Sequence, residues 1–263
     1  MYFKSSYGEI YYEIHGPENS PVVAFVHGLF AEHKMFEKQV SKFKDQYRVL
    51  LWDMPEHGQS VKLDQPFNLS IAAKCFIELL DELGIETVLL AGVSMGGYVS
   101  QYLAGEYPER VAGIAIDGAH PLHIKLTRLE YFGFMIGSAI FKLLPFSVFK
   151  YLCLKIATGD DTDVKRYAEN TFSQLERRRA LHIYEGLRRQ ILKGIEKPAQ
   201  PPVLITHGEK EAPFIRKMCA QWHNSNPEIE YVIIPGAHDA MFTKPDEYNK
   251  ALESFLQGSF AHP

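Results

Sequence analysis

The chain has 263 residues, 46% of them hydrophobic, and a formal net charge of −4, enough apolar material for one large domain or for a domain carrying an insertion. The mild charge gives no reason to expect nucleic-acid binding. The three cysteines, at 75, 153 and 219, follow neither a zinc-like nor a CxxC spacing and read as buried thiols of a reducing compartment.

The first residues lack an apolar signal-peptide core, so a soluble, cytoplasmic protein is expected. Alternation over residues 9–14 predicts an edge-side strand. Short apolar, β-branched runs at 22–26, 49–52, 88–91, 111–116, 203–206 and 231–234 predict buried strands. Their near-continuous apolar character implies a sheet covered on both faces. Helical spacing covers 69–83, with Asn68 or Ser70 as cap and Gly84 as stop, then 95–107, 212–223 and 245–256. This alternation argues for an α/β protein with a mostly parallel central sheet flanked by helices.

Between residues 119 and 201 the alternation stops and the pattern is helical and aromatic-rich, ending in a proline cluster at 198–202. The expectation is an inserted helical cap, with residues 1–118 and 202–263 forming the core. Residues 119–199 hold fourteen Lys and Arg against eight Asp and Glu, a balance of +6 that leaves −10 for the rest of the chain. The clusters Arg177-Arg178-Arg179 and Arg188-Arg189 read as solvated helix faces, the alternative being attraction of an anionic substrate or surface. The apolar stretch 132–154 is interrupted by Lys142, Pro145 and Lys150, which makes it a poor bilayer span, and no membrane partner is expected.

The chemistry centres on Gly92-Val93-Ser94-Met95-Gly96-Gly97. A predicted strand precedes this motif and a predicted helix follows it, which is the setting of a nucleophile elbow. The glycines permit the tight turn, and Ser94 is raised to the N-terminus of a helix, where backbone N–H groups favour developing negative charge. Serine needs a base. Among eleven histidines, His238 is selected by its place after the last strand and before the last helix. The acid that orients it is expected at Glu211, in the loop after strand 203–206, with Asp117 as the rival and Glu209 as a third candidate. The two oxyanion donors are expected at the N–H groups of Met95 and of Leu29, in the His27-Gly28-Leu29-Phe30 loop. His27 is expected to brace that loop.

Together with Asp53-Met54-Pro55-Glu56-His57-Gly58-Gln59-Ser60 and Tyr107-Pro108-Glu109-Arg110-Val111, these segments resemble the α/β-hydrolase superfamily across nearly the whole chain, most closely its small, cap-bearing bacterial esterases. The resemblance implies an α/β-hydrolase fold and two-step acyl transfer on a carboxylic ester or lactone. Two positions depart from the family pattern: Glu56 stands where glycine is usual, and Glu211 where aspartate is usual. The aromatic run Tyr131-Phe132-Gly133-Phe134-Met135 suggests an apolar pocket, with Gly28, Phe30, Tyr131 and Phe134 as expected substrate contacts; packing between cap and core is an equal reading of the run. The implied alternatives are C–C hydrolysis, lyase chemistry or perhydrolysis on the same triad, and a receptor without turnover. Tyr98 stands where menaquinone-type lyases carry arginine, and a serine at the elbow disfavours dehalogenases and epoxide hydrolases. No cofactor is implied. The His120-Pro121-Leu122-His123 spacing lacks a convergent carboxylate and is not read as a metal site.

Overall fold

A computed structural model describes residues 1–63, 66–158, 162–173, 175–200 and 202–261. Eight strands form one sheet: β1 (Tyr2–Ser5), β2 (Gly8–His15), β3 (Val22–Val26), β4 (Arg48–Trp52), β5 (Val88–Val93), β6 (Val111–Asp117), β7 (Val203–Gly208) and β8 (Glu230–Ile234). Their spatial order is β1-β2-β4-β3-β5-β6-β7-β8. The first two pairings, β1 with β2 and β2 with β4, are antiparallel, and all the others are parallel. The expected mostly parallel sheet is therefore present.

Side chains of the central strands alternate between two apolar clusters, as the two-residue strand period requires. On β3, Val22, Ala24 and Val26 join one cluster, while Val23 and Phe25 join the other. The first face is covered by helices α2 (Leu69–Glu82) and α3 (Met95–Glu106), the second by α1 (Glu37–Phe43) and α10 (Pro245–Ala261). Double coverage explains the continuous apolar runs. Asn68 caps α2 by accepting the Ser70 N–H at 2.8 Å. Cys75 and Cys219 are buried in this packing and Cys153 is half-buried, all as free thiols.

Among the described residues, four helices lie between β6 and β7 in the chain: α4 (Arg128–Leu143), α5 (Phe146–Thr158), α6 (Thr162–Ser173) and α7 (Arg177–Lys193). Pro201, in the proline-rich return expected at 198–202, lies outside the described residues. Helices α8 (Pro213–Ser225) and α9 (Ala240–Thr243) complete the fold. Sequence patterning did not yield β1, α1 or α9. β1 is four residues long and is defined by its register on β2, Ser5 opposite Gly8, while α9 is a single turn; neither spans enough residues to display a period.

Candidate active site

The parallel strands set their C-terminal ends side by side, with Val26 opposite Gly92 and Val93 opposite Asp117. Loops leaving β3, β5, β6 and β7 therefore converge on one edge of the sheet. Ser94 stands at the centre of that edge, between β5 and α3, with backbone angles φ +51° and ψ −113°. This is a strained setting for a residue with a side chain. Two things hold it: the Ser94 N–H donates to the Asp117 carbonyl at 2.7 Å, and the flanking glycines let the turn close. A Cβ at Gly96 would lie 2.0 Å from the Val26 carbonyl oxygen, so no larger residue fits there without displacing β3 or α3.

Ser94, His238 and Glu211 are brought together in a line. His238 Nδ1–H donates to Glu211 Oε2 at 2.6 Å, and in the neutral ring Nε2 is then an acceptor 2.9 Å from the Ser94 hydroxyl oxygen. Glu211 is buried, and its second oxygen accepts the Ala212 N–H at 2.6 Å. The longer side chain relative to aspartate is thus used on both oxygens. Burial alone would lower the His238 pKa, but the hydrogen bond and charge of Glu211 outweigh it and push it up to about 9. Asp239 adds a carboxylate oxygen 3.9 Å from Nε2, its own pKa raised by burial to about 6.

Asp117 is also buried, but its carboxylate faces elsewhere. One oxygen accepts the Thr206 hydroxyl at 2.8 Å and the other the Met241 N–H at 2.7 Å. Burial pushes this carboxyl up to about 7, against the pull of those two donors. Asp117 therefore ties the elbow, through its carbonyl, to the turn that follows His238. Glu209, the third candidate, has an exposed side chain.

Leu29 and Met95 occupy the loop after β3 and the first turn of α3. A Cβ on Gly28 would sit 3.8 Å from the Ser94 Cβ, so the Gly28-Leu29 backbone runs directly beside the serine. His27 braces this loop: its Nδ1–H donates to the Gly28 carbonyl at 2.9 Å and its Nε2 accepts the Met54 N–H at 3.0 Å. Phe30, at φ +62°, is buried edge-on against Phe149 of α5 and Phe172 of α6. It also lines a cavity of about 710 Å³ shared with Glu56, His57, Tyr167, Arg179 and Ile183. Phe134 faces inward, 5.4 Å from the Phe214 ring and 6.4 Å from His120. Tyr131 does not join that group; it is 47% exposed.

Three features had no clear sequence signal. The Tyr98 hydroxyl meets His120 Nδ1 at 2.8 Å, and burial holds the His120 pKa down at about 4. Tyr167 of α6 hydrogen-bonds both backbone groups of Glu32 and packs edge-on against Phe242 of α9, linking the loop after β3 to the turn after His238. Glu56 adopts φ +77°, accepts the Leu63 N–H at 2.5 Å, and lies 3.6 Å from Arg179 of α7, which also donates to the Glu56 carbonyl. Glu56 thus joins α7 to the loop after β4.

Among the described residues, one group places three possible metal-donor atoms within 4.8 Å of one another: Glu32, His33 and Asp53. His33 presents Nδ1 to Asp53 at 2.8 Å and Nε2 to Glu13 at 3.4 Å. Burial would lower its pKa, but the Asp53 and Glu13 carboxylates outweigh burial and raise it. His120 Nδ1 meets the Tyr98 hydroxyl, while the His123 ring packs at a steep angle on Trp222, centroids 5.1 Å apart.

Residues 21–245 match the family model described as the alpha/beta hydrolase fold. Over 91 residues, 35% of this chain and 34% of the relative, the chain is 37% identical to 3-oxoadipate enol-lactonase 1 of Acinetobacter baylyi, so it spans only about a third of that relative's length. An esterase from Exiguobacterium antarcticum superposes with a TM-score of 0.81 at 19% identity, covering 98% of this chain and 99% of that one. The enol-lactonase from Burkholderia xenovorans LB400 gives 0.78 at 19% identity, covering 98% and 100%. The family model covers most of the chain and the fold agrees over its whole length: the chain belongs to the alpha/beta hydrolase fold family.

Proposed function

We propose that this protein is a serine-dependent hydrolase that cleaves a carboxylic ester or lactone through an acyl-enzyme. The observation that carries the reading is the continuous hydrogen-bonded line from Ser94 through His238 to Glu211, at 2.9 and 2.6 Å. In this reading His238 Nε2 takes the hydroxyl proton as Ser94 attacks the carbonyl carbon. The N–H groups of Met95 and Leu29 hold the tetrahedral oxyanion, His238 protonates the leaving oxygen, and water then releases the acyl group by the reverse proton path. Glu211 orients the imidazole and stabilises its cationic form. The names of relatives, an enol-lactonase and an esterase among them, agree with this chemistry.

Helices α4 to α7 serve as the cap in this reading, with residues 119–201 placed over the core. Three contacts support it: Phe30 against Phe149 and Phe172, Arg179 on Glu56, and Tyr167 on Glu32. The aromatic wall of Phe134, Phe214 and His120 suits an apolar substrate group, with Phe134 retained as a contact and the exposed Tyr131 not.

The test is labelling by a fluorophosphonate probe, followed by a panel of esters and lactones. Wild-type protein is expected to label and turn over, and Ser94→Ala to lose labelling and about three or more orders of magnitude in kcat. Labelling or turnover that survives Ser94→Ala would overturn the mechanism, and absence of both in wild type would favour the receptor.

A further inference from the structure

The helices between β6 and β7 carry most of the large apolar side chains left uncovered. Nine of the twelve that stay exposed among the described residues lie on α4 and α5. Leu129, Phe132, Ile136, Ile140 and Leu143, exposed by 44% to 84%, follow one another at separations of three and four residues, which places them on one face of α4. The opposite face is already used: Phe134 packs on Phe214, and Phe141 on Tyr184. A helix apolar on both sides needs cover on both. Gly133 and Gly137 flank the outer stripe with nothing within 4 Å of where a Cβ would stand, so the fold supplies no cover there. A continuous stripe of five large apolar side chains left open is the kind of patch that marks an interaction surface.

Charge identifies the occupant. Residues 125–155 hold Lys125, Arg128, Lys142, Lys150 and Lys155 against one acid, Glu130. Glu130 is turned back into the capping box with Thr127 and lies 3.7 Å from Lys217. Lys125, Arg128 and Lys155 are exposed beside the stripe, while Lys142 is paired with Glu185 of α7 at 3.2 Å. A second copy docked face to face would set basic rim against basic rim. A lipid surface rich in anionic headgroups satisfies stripe and rim together. None of the described helices is long and apolar enough to cross a bilayer, and α4 and α5 are separated at Pro145, so the pair would lie on such a surface and not through it. We propose that the α4–α5 face docks this protein on an anionic membrane surface, with the apolar stripe in the headgroup layer and the basic side chains at the phosphates.

The experiment is co-sedimentation of the full chain with vesicles of phosphatidylcholine alone and of phosphatidylcholine mixed with phosphatidylglycerol, at low and high salt. Partitioning is expected to be at least tenfold stronger on the mixed vesicles and to weaken with salt. Ile136→Glu combined with Ile140→Glu should reduce it at least tenfold. Lys125→Glu combined with Arg128→Glu should reduce it by roughly fivefold or more per charge. All four side chains are exposed, so both variants should keep the wild-type thermal melt by circular dichroism, and either one suffices if the other does not fold. Equal partitioning on both vesicle types, or none, would overturn the proposal. So would a dimer seen by light scattering that the isoleucine variant abolishes while wild type ignores vesicles.

Discussion

At the scale of single residues, two buried carboxylates a short way apart have been given opposite tasks. Glu211 holds His238 and raises its pKa to about 9, while Asp117 is itself pushed up to about 7 with no hydrogen bond to the histidine. A general base must be neutral, so kcat/KM of the free enzyme should climb with pH towards about 9. Glu211→Gln removes the carboxylate that raises His238, burial then dominates, and the rising limb should shift to lower pH while kcat falls by roughly two to four orders of magnitude. An initial-rate pH profile of both proteins tests this. Asp117→Asn should keep most activity and change stability instead. The folded pKa of Asp117 lies above its ordinary value of 3.8, so its stabilising contribution is complete below about pH 4 and is lost as pH rises through about 7. Asparagine stays neutral and can still accept the Met241 N–H, so the variant should melt higher than wild type near pH 8, with the gap closing near pH 5.

At the scale of elements, the site depends on how closely α3 approaches β3 behind the elbow. Gly96 is the contact point, with no room for a Cβ beside the Val26 carbonyl. Gly96→Ala should force the helix or the strand to move, destabilise by about 1–3 kcal/mol, and lower Tm by several degrees in scanning calorimetry. It should lower kcat as well, because the helix carries Met95 and the strand leads into Leu29. This region was largely legible in advance. The motif, the apolar run before it and the helical spacing after it are all local. The Glu56 ion pair was not legible, because its partner Arg179 lies 123 residues away on α7 and only the folded chain brings them together. Tyr167 escaped for the same reason, since its bonds are to Glu32, 135 residues back.

At the scale of the whole molecule, Arg179, Tyr167 and Phe30 join α5, α6 and α7 to the loops after β3 and β4. Arg179→Ala takes away the donors to the Glu56 carbonyl and the cation 3.6 Å from its buried carboxylate, a loss of about 1–3 kcal/mol. It should lower Tm by a few degrees, with limited proteolysis cutting first between residues 119 and 201. The sequence by itself determined the strand–helix alternation, the elbow at Ser94, the late histidine and the interruption after β6, because each of these is written in neighbouring residues or in chain order. Only the tertiary structure decided that Glu211 and not Asp117 faces His238, that Phe134 turns inward while Tyr131 remains outside, and that α4 keeps an apolar face without cover. Those depend on how elements far apart in the chain pack around one sheet edge, and no local period records the direction in which a side chain will meet a distant neighbour.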